Sequence, residues 1–117
     1  MWRGHCVGIS LAGLAAICAT PARAAETIRV SVDKLTFTPA HVVAHVGDTV
    51  EWVNNDFVAH TATSRNTASS KASRSTEWEV AIPVKQSGRI TFTSPGEFEY
   101  YCRFHPNMIG NISVAVK

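Results

Sequence analysis

The chain has 117 residues, with 11 Lys+Arg against 9 Asp+Glu and a formal charge of +2. That length holds one domain. The near balance of charge, with no basic face, argues against a nucleic-acid or acidic-membrane partner.

The first elements are not part of that domain. Arg3 gives a positive start, Val7 to Ala19 form an apolar run of 13 residues, and Ala22-Arg23-Ala24 is a small-x-small cleavage pattern. This is the form of a secretory leader cut between Ala24 and Ala25, because the run falls short of the roughly 20 residues needed to span a bilayer. The expected organisation is a cleaved signal peptide, residues 1–24, and one domain, residues 25–117. Removing Arg3 and Arg23 leaves 9 cations against 9 anions, and Cys6 and Cys18 leave with the leader. Cys102 then stands alone in an oxidising compartment, where it is a buried thiol, an intermolecular link, a ligand or a nucleophile.

The remaining 93 residues read as β throughout. Apolar residues alternate with polar ones at Ile28, Val30 and Val32, at Leu35 and Phe37, and at Val50 and Trp52. The same period recurs at Trp78, Val80 and Ile82, at Ile90 and Phe92, and at Ile112, Val114 and Val116. A period of two marks strands with one buried face. Gly47-Asp48, Ser87-Gly88 and Pro95-Gly96 are turn signals. Short strands with frequent turns predict an all-β sandwich of two sheets. The Ser/Thr-rich stretch from Thr63 to Glu77 is expected to be a solvated excursion, its cations Arg65, Lys71 and Arg74 facing water.

The chemistry concentrates in Phe98 to Met108. Phe98, Tyr100 and Cys102 share the inward face of a strand, and His105 and Met108 follow at intervals of three. Pro106 and Gly110 favour a tight loop over a continued strand, which can turn three side chains toward one point. Thiolate, imidazole and thioether form a soft donor set suited to copper, and trigonal His₂Cys with a weak axial Met is an electron-transfer arrangement. His60 is the best second histidine, so the expected ligands are His60, Cys102, His105 and Met108. His41 and His45 lie on one face of a strand, where exposed histidines are more usual than a second metal site. Two other readings compete: an enzyme with Cys102 as nucleophile and His105 as base, for which no orienting acid or oxyanion loop is evident, and a metal-free binding sandwich.

These residues resemble the cupredoxins. The likeness rests on Val46 to Asn54, on His60, on Ile90 to Gly96 and on Cys102-x-x-His105-x-x-Met108, a ligand loop as short as that of the amicyanin group. The resemblance implies a Greek-key β-sandwich of about eight strands and one type 1 copper ion cycling between Cu(I) and Cu(II). It implies a periplasmic, monomeric one-electron carrier rather than an enzyme, serving redox proteins such as a c-type cytochrome or a periplasmic dehydrogenase. A copper chaperone or storage protein is the alternative. Two positions depart from the family pattern. Thr61 follows the first histidine where many members carry Asn, and its hydroxyl cannot copy an amide. Phe104 replaces a proline and keeps an N–H that could donate to the Cys102 sulfur.

Overall fold

The computed structural model describes residues 23–65 and 77–116. Residues 1–22 of the expected leader, and Lys71 and Arg74 of the expected excursion, lie outside the described residues. The described chain forms nine strands: β1 (Thr27–Asp33), β2 (Thr36–Thr38), β3 (His41–His45), β4 (Thr49–Asn54), β5 (His60–Arg65), β6 (Glu79–Ile82), β7 (Ser87–Thr91), β8 (Gly96–Cys102) and β9 (His105–Ala115). They make two sheets, ordered β2-β1-β4-β7 and β3-β9-β8-β5-β6. The pairs β1–β4 and β3–β9 are parallel and the rest antiparallel. The expected two-sheet sandwich is present, with a three-residue β2 among its nine strands.

Alternation explains the core. Val30, Val32, Phe37, Val50 and Trp52 of the first sheet meet Val42, Ile82, Phe98, Tyr100 and Ile112 of the second, all buried. Aromatic rings bridge the layers: Tyr100 lies 4.8 Å from Phe37 and 5.4 Å from Trp52, centroid to centroid, both edge-on. The pattern breaks at Glu51, buried on the outer face because Arg29 and Arg89 flank it in the neighbouring strands.

Four expectations fail locally. Leu35 is not an inward strand residue but half of a two-residue turn, 49% exposed. Lys34 and Leu35 both have positive φ, 52° and 58°, a conformation such turns require but non-glycine residues disfavour. Ser87-Gly88 is strand, paired with Val53 and Trp52, and the turn lies just before it at Val84-Lys85. Thr63, Ser64 and Arg65 belong to β5 rather than to a solvated excursion, and Arg65 is ion-paired with Glu99 at 3.6 Å beneath the alternation signal that Ser and Thr lack. Gly110 is mid-strand.

Gly47 turns β3 into β4 with φ 98°, and Asp48 beside it is fully buried. Asp48 accepts the N–H groups of Glu26 and His45, both at 2.9 Å, and the Arg23 guanidinium at 3.0 Å. Burial pushes its carboxyl up, but these donors outweigh burial and hold it at about 2. The folded value lies below the unfolded one, so this stabilisation is present above the ordinary carboxylate range and is lost as pH falls through about 2. In the uncut chain, which keeps Arg23, the urea midpoint is expected to fall between pH 4 and pH 2, and Asp48→Asn is expected to flatten that segment and lower stability by roughly 1–2 kcal/mol at neutral pH. Parallel pH profiles for the two proteins would show that another group governs the acid limb.

Candidate metal centre

Three strand ends meet at one pole of the sandwich. His60 opens β5, Cys102 closes β8, and His105 opens β9 across a two-residue turn in which Cys102 pairs with His105. The turn is tighter than expected: the chain re-enters strand at His105 and runs through Pro106 and Gly110. Pro106 is tolerated because it sits one residue from the strand start. Met108 is buried on β9 in the same core cluster as Cys102.

Cys102 Sγ lies 3.6 Å from His60 Nδ1 and 3.6 Å from His105 Nδ1. The donor atoms of these three residues all fall within 4.8 Å of one another. One thiol proton cannot serve two imidazole acceptors. A shared ion would fit both contacts: metal–sulfur bonds of about 2.3 Å and metal–nitrogen bonds of about 2.0–2.1 Å, opened to near-trigonal angles, would separate S and N by about 3.6–3.8 Å. Cys102 is 0% exposed and His60 1%, whereas His105 is partly exposed. Donors buried this way are shielded from water while one imidazole edge reaches the surface.

Asp56 sets the tautomer of His60. Its Oδ2 receives His60 Nε2–H at 2.8 Å, leaving the Nδ1 lone pair toward Cys102. The same carboxylate accepts the N–H groups of Lys34 at 2.8 Å and Leu35 at 3.1 Å. Those bonds pin the left-handed turn and explain why non-glycine residues persist there. Burial pushes Asp56 up, yet the Leu35 and Lys34 amides and His60 hold it below the usual carboxylate range. Sequence reading missed Asp56. Its place four residues before His60 was the available signal, but a loop carboxylate beside a histidine is too common to single out.

Thr61 makes one hydrogen bond across the site with its hydroxyl. It is buried, and its Oγ1 accepts the Arg103 N–H at 2.9 Å, tying the His60 strand to the Cys102 turn. Among the described residues, the groups at hydrogen-bond distance from Cys102 Sγ are the His60 and His105 imidazoles. His41 and His45 do not converge on a metal site: His41 Nδ1 contacts Asn111 Oδ1 at 2.6 Å, and His45 Nδ1 lies 3.8 Å from Asp48 Oδ2.

The family model for the cupredoxin-like domain matches residues 7–114. Amicyanin of Paracoccus versutus is 29% identical over 91 residues, spanning 77% of this chain and 66% of that protein. Plastocyanin of Nostoc punctiforme is 29% identical over 109 residues, 81% of this chain and 78% of the relative. Among solved structures, a reduced amicyanin variant superposes with a TM-score of 0.61 at 28% identity, covering 75% of this chain and 81% of that one. A Cu(I) form of another amicyanin variant gives 0.65 at 25% identity, with the same coverage.

Proposed function

The chain belongs to the cupredoxin-like domain family, and on that premise we propose that it is a one-electron carrier holding a single copper ion through His60, Cys102, His105 and Met108. It is an electron-transfer protein and not an enzyme. The observation that carries the ligand assignment is Cys102 Sγ flanked at 3.6 Å by two imidazole nitrogens, one of them oriented by Asp56. Bound copper supplies reversible one-electron chemistry.

The chain's own residues do the rest. Cys102 and His60 are sealed in the core, so neither water nor ligand rearrangement need accompany redox change. Asp56 holds the His60 proton on Nε2 and keeps Nδ1 bare. Met108, buried and neutral, would hold the ion more weakly than the thiolate and imidazoles and so would tune its potential. His105 offers the electron its exit, beside the exposed Phe104 and Ile109. Phe57 and Val58 extend the apolar surface from the loop before His60. A surface of this kind suits a brief encounter with a redox protein such as a c-type cytochrome or a periplasmic dehydrogenase, as interfaces below about 1,200 Å² do. Burial of the sulfur also favours a carrier over a copper chaperone, whose ligands must be reached by an acceptor.

The test is copper titration of the purified domain with optical spectroscopy and voltammetry. An intensely coloured Cu(II) form with reversible one-electron redox is expected. A colourless protein that binds only Cu(I) and passes it on would move the reading to copper trafficking, and one that binds no copper would end it. The periplasmic assignment rests on the leader, and N-terminal sequencing of exported protein should begin at Ala25.

Two further outcomes follow. Asp56→Asn is expected to weaken copper binding about 10–100-fold, the usual loss when a histidine's outer partner is removed. A competition assay with a chelator of known affinity measures it, and an unchanged constant would remove Asp56 from the site. Ile109→Asp is expected to slow electron transfer to a partner about tenfold while leaving the visible spectrum intact, since it adds charge to the docking surface but lies outside the ligand set. An unchanged stopped-flow rate would place docking elsewhere.

A further inference from the structure

The ligands sit on separate segments: His60 on β5, Cys102 and His105 on the β8–β9 hairpin. Register pairing of β5 with β8 begins only at Thr63 and Tyr101, so the ladder does not itself fix the turn against His60. A circuit of side chains does. Arg103 N–H donates to Thr61 Oγ1 at 2.9 Å, Thr61 Oγ1 contacts Thr63 Oγ1 at 2.9 Å, and Thr63 Oγ1 donates to Glu79 Oε1 at 2.9 Å. Glu79 then receives the guanidinium of Arg103 through Nε at 2.9 Å and Nη2 at 3.3 Å.

Proton accounting orders this circuit. A carboxylate only accepts, so Thr63 gives its single proton to Glu79. Thr61 must therefore donate to Thr63, which leaves its lone pairs for the Arg103 N–H. Glu79 thus holds residue 103 twice, directly by the side chain and indirectly by the backbone. Arg103 also lies over the Phe104 ring, 5.4 Å from Cζ to centroid.

We propose that Glu79 is a positioning residue for the metal centre, locking the Cys102–His105 turn onto β5 by means of Arg103, Thr63 and Thr61. The role rests on the copper reading above. The ion pair is exposed, 55% at Arg103 and 43% at Glu79, and pairs this open add little to global stability. Its effect is geometric: metal sites tolerate only about 0.5 Å of looseness in their ligands.

The experiment compares Glu79→Ala, Thr63→Val and a control, Glu97→Ala, at the opposite end of β8. In the metal-free protein, amide exchange of Arg103 by NMR is expected to accelerate at least tenfold in the first two variants, with Ile112 unchanged and the control like wild type. In the copper-loaded protein the same two variants are expected to show altered copper hyperfine splitting and a shifted potential. Wild-type exchange and spectra in Glu79→Ala would overturn the proposal. So would faster exchange spread evenly along β8 and β9, the mark of a merely structural role, or an unaffected Arg103 amide in folded Thr63→Val. If wild-type protein bound no copper, the copper reading would fall and the metal role of Glu79 with it, whereas the exchange data report the clamp separately.

Discussion

Cys102→Ala is expected to abolish the intense visible band of the copper-loaded protein and to weaken copper binding on the order of a thousandfold, beyond the 10–100-fold typical of outer partners. The thiolate is the single anionic donor in the proposed set, so its loss removes both the charge that neutralises the ion and the sulfur orbital responsible for strong absorption. The fold should survive. Cys102 is 0% exposed in a well-filled core, and trimming one sulfur there costs about 1–2 kcal/mol, a fraction of the 5–15 kcal/mol typical of a domain. Optical titration of the variant beside wild type, with circular dichroism to confirm folding, checks both halves. A variant that kept the band would show that the sulfur does not bind the ion. Alkylation of Cys102 in the wild-type protein tests the enzyme reading, since it should block copper loading rather than any hydrolysis.

The expected loss is specific because the site is assembled by three different kinds of constraint. The β8–β9 hairpin sets Cys102 opposite His105 by backbone pairing. Asp56 fixes the ring of His60 while holding the strained turn at Lys34 and Leu35. Thr61 joins the two segments through the Arg103 amide. All three are made by the chain's own backbone and side chains.

What was legible in the sequence follows from the range over which each signal acts. Alternation identified β1, β4 and β6 because a buried face imposes period two within a few residues, as at Val30 and Val32. Cys102, His105 and Met108 stood out as candidate ligands because they are close in sequence and chemically rare. Leu35 was misread because its apolar character fits the alternation while its backbone is dictated by Asp56, 21 residues away. β5 was misread because its buried residues, His60, Thr61 and Ala62, are small or polar and carry no hydrophobic signal on either face. Glu79 was invisible for the same reason: its partners are set by register between β5 and β6 and by the turn at Arg103, and sequence spacing does not encode register.

Gly110 shows this most sharply and supports the second large prediction. Beside Pro106 it reads as a loop glycine, yet it lies within β9, paired with Tyr100. A Cβ at this position would run into Cζ, Oη and Cε1 of Tyr100. The absent side chain is what lets that ring lie across the strand and reach Phe37 and Trp52. Tyr100 is 0% exposed, and burial pushes its phenol up to about 12, so it stays neutral at working pH. Packed against Phe37, Trp52 and Trp78, the ring cannot withdraw without disturbing both sheets. Gly110→Val should therefore destabilise the domain by about 3 kcal/mol or more, at the upper end for overpacked cores. It should also weaken copper retention, because Tyr100 is two residues from Cys102. Tyr100→Leu removes the colliding atoms, so the double variant should be more stable than the sum of the two single losses by at least about 1 kcal/mol. Urea unfolding of all four proteins measures that coupling. Simple additivity would mean that Gly110 is needed for some reason other than the close approach of Tyr100.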